Sequence, residues 1–200
     1  MAIKLPKLIL ASASKVRSQI LADAGVLFEV EVSNVNEGVI KATGNAQAVE
    51  EIALELAVAK AQAVSALHPR SLVIGADQIL ECEGALFDKP VGIIGAVRHL
   101  ETLRGKEHRL ITAACVVQAG RTLWQVSDDV RLSMRDLSDD FIQSYLNQAG
   151  EGVLESVGAY RLEDLGAQLF NSVEGDFFTV LGLPLFPLLE FLRGQEILET

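Results

Sequence analysis

Apolar positions along the chain follow two rhythms, and their alternation lays out the elements. Leu8 to Ala11 is a continuous apolar run that reads as a buried strand, and Lys15 to Ala24 reads as a short helix stopped by Gly25, since glycine enters the left-handed region without steric cost. Phe28, Val30 and Val32 alternate with Glu29 and Glu31, the period of a half-exposed strand, and a polar loop is expected from Ser33 to Asn45. Val49, Ala53, Leu56, Lys60, Ala63 and Leu67 then fall on one helical face, and His68-Pro69 ends that helix because a residue before proline avoids the α region. Leu72 to Ala76 predicts a strand buried on both faces, with Asp77 delivered at its carboxyl end.

The second half continues in the same manner. Glu83-Gly84 predicts a hairpin turn, and a helix over Ala96 to Arg104 ends at Gly105. Strands Glu107 to Gln118 and Arg121 to Val126 flank an Ala119-Gly120 turn, and Val130 to Met134 adds another. Ser138 caps a helix whose first turn, Asp139 and Asp140, complements the positive end of the helix dipole. Gly166 to Phe170 and Phe177 to Leu181 are read as a hairpin about Glu174-Gly175-Asp176, with a last helix from near Pro184. Strands and helices are interspersed without a fixed-period repeat, so the class is α/β or mixed α+β.

Composition narrows what such a chain can do. Its 200 residues suit one continuous unit or two closely packed lobes without a linker. Half are hydrophobic, which excludes disorder, and a net charge of −10 repels nucleic acid and anionic membrane surfaces. The apolar run Leu8 to Ala11 is too short for a secretory segment, and Phe177 to Leu192 is broken by Gly182, Pro184 and Pro187, so it is read as core or subunit interface rather than a membrane span. Cys82 and Cys115 show neither zinc nor redox spacing, which fits a reducing cytoplasm, and His68, His99 and His108 show no close ligand pairing.

The chemistry-bearing candidates are dispersed. Asp77 after a buried strand lies where open α/β folds gather ligands, though turns and caps also favour aspartate. Lys60 on an apolar stripe either snorkels or is held by an anion. Ser12, Ser14 and Arg17, at a strand-to-helix junction, can present hydroxyls and a guanidinium to one anionic group, or serve as helix caps. No dinucleotide loop, phosphate loop, HExxH or GxSxG is present.

Read in order, LASASKVR, Asn36-Glu37, Lys60-Ala61, Val73-Ile-Gly-Ala-Asp77, Asp88-Lys89-Pro90, Gly158-Ala-Tyr160 and Glu174-Gly-Asp176 through Gly182-Leu-Pro184 resemble the Maf family over nearly the whole chain. The resemblance implies an α/β molecule with a mixed sheet, flanking helices and an elongated two-lobed shape with a central cleft. It also implies a homodimer and a hydrolase of phosphoric anhydrides that cleaves a nucleoside triphosphate to monophosphate and pyrophosphate with a divalent cation, Mg²⁺ or Mn²⁺. The family's proton acceptor falls on Asp77 and its recurrent acid on Glu37. Both are suited to a hard cation that takes oxygen ligands, and Asp77 is suited to activating water. Lys60, Lys89 and Arg17 would neutralise phosphate charge, and Ser12 and Ser14 would position the chain.

Three positions depart from the family pattern. Val16 stands where paired arginines are usual, Gln78 where threonine follows the aspartate, and Glu163 where glutamine is common; all three are associated with choice of base. Because a carboxylate cannot donate as an amide does and valine removes a bidentate donor, the nucleotide selected is left open. A nucleotide-binding regulator of cell division without turnover is the alternative reading.

Overall fold

The computed structural model describes residues 6–43 and 48–199. In chain order the regular elements are β1 (Leu8–Leu10), α1 (Lys15–Asp23), β2 (Glu29–Val30), α2 (Glu37–Thr43), α3 (Val49–Ser65), β3 (Leu72–Cys82), β4 (Ala85–Phe87) and α4 (Gly92–Leu103). There follow β5 (Glu107–Gln118), β6 (Arg121–Met134), α5 (Asp139–Ala149), short 3₁₀ turns at Gly150–Glu155 and Leu165–Leu169, β7 (Phe170–Glu174), α6 (Phe177–Val180) and α7 (Leu185–Gly194). The strands pair in the order β2-β1-β3-β5-β6-β7, with β4 beside β3, so the class is mixed α/β. The chain divides into two compact units, one of Met1–Asp77, Thr112–Asp128 and Gly182–Thr200, the other of Gln78–Ile111 and Asp129–Leu181. Among the described residues no helix is long and apolar enough to cross a membrane.

In the first unit β1 runs parallel to both neighbours, with Leu8, Ile9 and Leu10 opposite Leu72, Val73 and Ile74. All three residues of β1 are buried, as a short apolar run with strands on both sides requires. β2 differs from the expected alternating strand. It is a two-residue edge strand, in which Val30 is more than half exposed; Val32, beyond its end, is also more than half exposed, while Phe28 before it is half-buried. The expected polar loop contains α2, and its last two positions fall outside the described residues.

The buried side of α3 is Ile52, Ala53, Leu56, Ala57, Ala61, Val64 and Ser65; Leu67 lies beyond its end and is 70% exposed. The expected stripe through Ala63 and Leu67 is thus rotated, and the reason is Gly75. A Cβ on Gly75 would sit 2.1 Å from the Ala57 carbonyl oxygen and 2.9 Å from Ala61 Cβ. Backbone meets backbone there, so small residues define the docked face.

The second unit has its own apolar core, centred on Leu80, Leu100, Leu103, Leu132, Ile142 and Leu146. Its β3–β4 hairpin turns at Glu83 and Gly84, both with positive φ, as expected. α4 starts at Gly92, four residues before the expected onset. The strand expected over Phe177 to Leu181 is instead helix α6, because Asp176 accepts the Thr179 amide at 3.0 Å and caps it. The segment from Leu165 to Leu169 is 3₁₀, and β7, which follows it, pairs antiparallel with β6.

Within this core His108 is 2% exposed, its Nε2 lies 2.8 Å from the Tyr160 hydroxyl, and its ring stands 5.9 Å from that of Phe170. Nδ1 makes no hydrogen bond among the described residues. Burial lowers the pKa to about 4, so the folded state holds this imidazole neutral while the unfolded chain protonates it near 6.5. The resulting stabilisation is fully present above pH 6.5 and is lost progressively as pH falls to about 4. The total lost by the acid limit is about 3 kcal/mol. Urea unfolding of the wild type and of His108→Gln at pH 7.5 and pH 4.5 checks this: the wild type should lose more stability between the two pH values, and equal losses would contradict it.

Candidate active site

β1 ends at Leu10, paired with Ile74, and the Ala11 amide donates to the Ile74 carbonyl at 2.8 Å. β3 runs on past that point, so Asp77 lies within the strand, five residues from its end, rather than at its carboxyl terminus as the sequence predicts. What does end there is the neighbouring strand. Asp77 therefore stands beyond the last β1 pairing, in the position that parallel sheets use for chemistry, while 6% exposed.

α3 docks on β3 at Gly75, two residues before Asp77, with Ala57 and Ala61 at the contact. Lys60 belongs to that same turn of helix, and its Nζ lies 2.5 Å from Asp77 Oδ1 and 2.8 Å from Glu37 Oε1. The ammonium is 12% exposed, the Asp77 side chain 8% and the Glu37 side chain 44%, so one acid faces inward and the other toward solvent. Lys60 does not snorkel: it bridges two carboxylates that lie forty residues apart in the sequence. Glu37 opens α2, which packs on α3 and so brings the second carboxylate to the ammonium.

Arg17 completes the charge balance. Its Nε donates to the Gly182 carbonyl at 2.6 Å, and its Nη1 donates to the Ala76 carbonyl at 3.0 Å and to Ser12 Oγ at 3.3 Å. Burial lowers the guanidinium's pKa from its ordinary value, while the charges of Asp77 and Glu37 act in the opposite direction. Ser12, buried, also accepts the Ser14 amide at 3.2 Å. Ser14 caps α1 by accepting the Arg17 amide, so its oxygen has a helix-capping role, and Val16 is half-buried on the same helix. Two acids, two bases and a buried hydroxyl thus meet in the first unit: Glu37, Asp77, Lys60, Arg17 and Ser12.

Lys89, Gln78 and Glu163 belong to the second unit. Lys89 is exposed and precedes the buried Pro90. Gln78 donates to the carbonyls of Thr179 and Val180, both at 3.0 Å, which uses its amide hydrogens to hold the last turn of α6. Glu163 accepts from Arg161 Nε at 3.1 Å. The roles of these three rest on the resemblance alone. The sequence reading names Gly75, Ala61 and Gly182 without a packing role and does not single out Ala57; the available signal for that role is small residues clustered around Lys60 and Asp77.

Residues 7–195 match the family described as Maf-like protein. The chain is 50% identical over 191 residues to a nucleoside triphosphate pyrophosphatase of Nitrobacter hamburgensis, covering 96% of this chain and 95% of the relative. It is 51% identical over 189 residues to a protein of the same description from Paramagnetospirillum magneticum, covering 92% and 96%. With a 7-methyl-GTP pyrophosphatase of Rhizobium etli it shares 45% identity over 190 residues, covering 94% and 96%.

Proposed function

The chain belongs to the Maf family, and from that premise we propose that it hydrolyses a nucleoside triphosphate to the monophosphate and pyrophosphate, with Asp77 as the base that activates water. The observation that carries the reading is the Lys60 bridge between Glu37 and Asp77. Water attacks phosphorus slowly at neutral pH, and a carboxylate within hydrogen-bond reach removes its proton as the bond forms. Asp77 is buried and ion-paired with Lys60, so its charge has a partner inside the site and its carboxylate is held in place. Lys60 holds the Asp77 carboxylate in one orientation and offsets charge accumulating on phosphoryl oxygens. Relatives described as nucleoside triphosphate pyrophosphatases support the reaction class.

The donor chemistry of Glu37 and Asp77, oxygen only, fits a hard divalent cation such as Mg²⁺ or Mn²⁺. Among the described residues no group of three or more His, Cys, Asp or Glu is placed to hold a metal. These two carboxylates would hold the ion together with water and substrate oxygens, which is how Mg²⁺ is commonly bound beside phosphates. When bound, the cation neutralises triphosphate charge and polarises the phosphoryl group. Lys60 keeps the site from presenting two unbalanced negative charges to a polyanion.

A panel of ordinary and modified nucleoside triphosphates, 7-methyl-GTP among them, tests the reading with Mg²⁺ or Mn²⁺ present. At least one should yield pyrophosphate and monophosphate in equal amounts. Orthophosphate as the sole inorganic product, or no product from any of them, would reject it.

A further inference from the structure

We propose that Arg17 is a positioning residue for Asp77 rather than a direct ligand of the triphosphate. The inference rests on the hydrolase reading above and changes what one of its cations does. It starts from the strand geometry. Carbonyls on one side of a strand recur every second residue, so after Ile74, whose carbonyl accepts from Ala11, the next on the β1 side is that of Ala76. β1 has already turned away into Ser12 and α1, which leaves the Ala76 carbonyl without a strand partner on that side. A buried carbonyl in that position needs a donor. Arg17 Nη1 supplies it at 3.0 Å and so acts as the missing rung of the ladder.

The Ala76 carbonyl belongs to the peptide whose nitrogen is that of Asp77. Holding it fixes the peptide plane from which the Asp77 side chain departs, while Lys60 fixes the carboxylate at its other end. The guanidinium is itself held in a built slot. Gly182 accepts from Nε at 2.6 Å, and a Cβ on Gly182 would lie 3.2 Å from Nε and 3.3 Å from Nη2. Gly182 also has φ +96°, a conformation that disfavours other residues, so backbone and space both reserve this place for the arginine. Three of the five N–H groups are directed at Gly182, Ala76 and Ser12. That planar fork cannot be reproduced by an ammonium.

The test compares Arg17→Lys and Arg17→Gln, each alone and combined with Asp77→Asn, using the substrate that the nucleotide panel identifies. Arg17→Lys should lower kcat by about 10- to 100-fold with KM changed by less than about threefold, because a displacement near 1 Å at the reacting group has effects of that order. Charge alone should not rescue, so Arg17→Gln should behave similarly. In the Asp77→Asn background either change should cost little more, since residues acting through one another are non-additive. A rise in KM at unchanged kcat, full activity in Arg17→Lys, or losses that multiply in the double variants would overturn the proposal. A measurement independent of turnover covers failure of either variant: ¹³C shifts of the Ala76 carbonyl and the Asp77 carboxylate should both move in Arg17→Lys, or in Arg17→Gln if the lysine variant does not fold. If both signals stay in place, positioning is excluded whatever the enzyme hydrolyses. A wild type inactive on every nucleotide while the signals move would reject the hydrolase reading alone.

Discussion

Asp77→Asn should lower kcat by roughly 10²- to 10⁴-fold, the range spanned by removal of a positioned general base, while nucleotide binding survives. Asparagine keeps the size of aspartate and an oxygen that can accept from Lys60, so the 2.5 Å contact weakens without leaving a cavity. What is lost is the negative charge. Lys60 keeps Glu37 as a partner, so its ammonium does not become an unpaired buried charge, the circumstance that makes breaking an ion pair severe. The variant should therefore fold, and activity should be expressed per folded molecule after thermal unfolding has measured its stability. Nucleotide-dependent stabilisation then separates two readings. A variant that binds the nucleotide as the wild type does but turns it over a hundredfold more slowly is a disabled hydrolase. One that retains wild-type turnover removes Asp77 from the chemistry and with it the central assignment. Glu37→Gln serves as the companion: its side chain is 44% exposed, so stability should change little, and any large loss of turnover then reports on cation or substrate rather than folding.

The elements legible in the sequence are those whose signals are local. The Ser14 and Ser138 caps and the Glu83-Gly84 and Ala119-Gly120 turns depend on a few adjacent residues and stand where the sequence puts them, whereas the helix expected to stop at His68-Pro69 ends at Ser65. Elements decided by distant packing were not legible. α2 contains Gly38 and the β-branched Val39, Ile40 and Thr43, a poor helical segment on its own, and it packs on α3. The apolar run at Phe177 is short enough to suit either period, and the Asp176 cap decides it. The same division applies to the site. Lys60 and Asp77 stand out individually, but only family resemblance joins them to Glu37, because their meeting depends on how α3 docks. Arg17 reads from the sequence as a phosphate ligand, and the positioning role proposed for it has no sequence signal, because a sequence does not reveal which carbonyl is orphaned where a strand ends.

That docking yields the other large prediction. Gly75→Ala should destabilise the protein by about 3 kcal/mol, at the upper end of what overpacking a core costs, and lower Tm by roughly 10 °C for a chain of this length. The new Cβ would lie 2.1 Å from the Ala57 carbonyl oxygen and 2.9 Å from Ala61 Cβ, and the closer of these is backbone, which cannot rotate away. Relief requires α3 to withdraw from β3 by about 1 Å, and Lys60 moves with the helix. Its short contact with Asp77 then lengthens, so turnover per folded molecule should fall by about 10²-fold, the effect of a displacement of that size. Ala61→Gly added to Gly75→Ala should restore little, since it removes the 2.9 Å contact and leaves the carbonyl clash. Gly194→Ala is the matched control: nothing lies within 4 Å of a Cβ there, so its Tm and kcat should stay near wild type. Gly75→Ala with wild-type Tm and wild-type kcat would show that the strand–helix approach does not set the Lys60–Asp77 geometry. A lowered Tm with unchanged kcat would show that the ion pair follows Asp77 wherever the helix lies, and that the side chain of Lys60, rather than its backbone, defines the site.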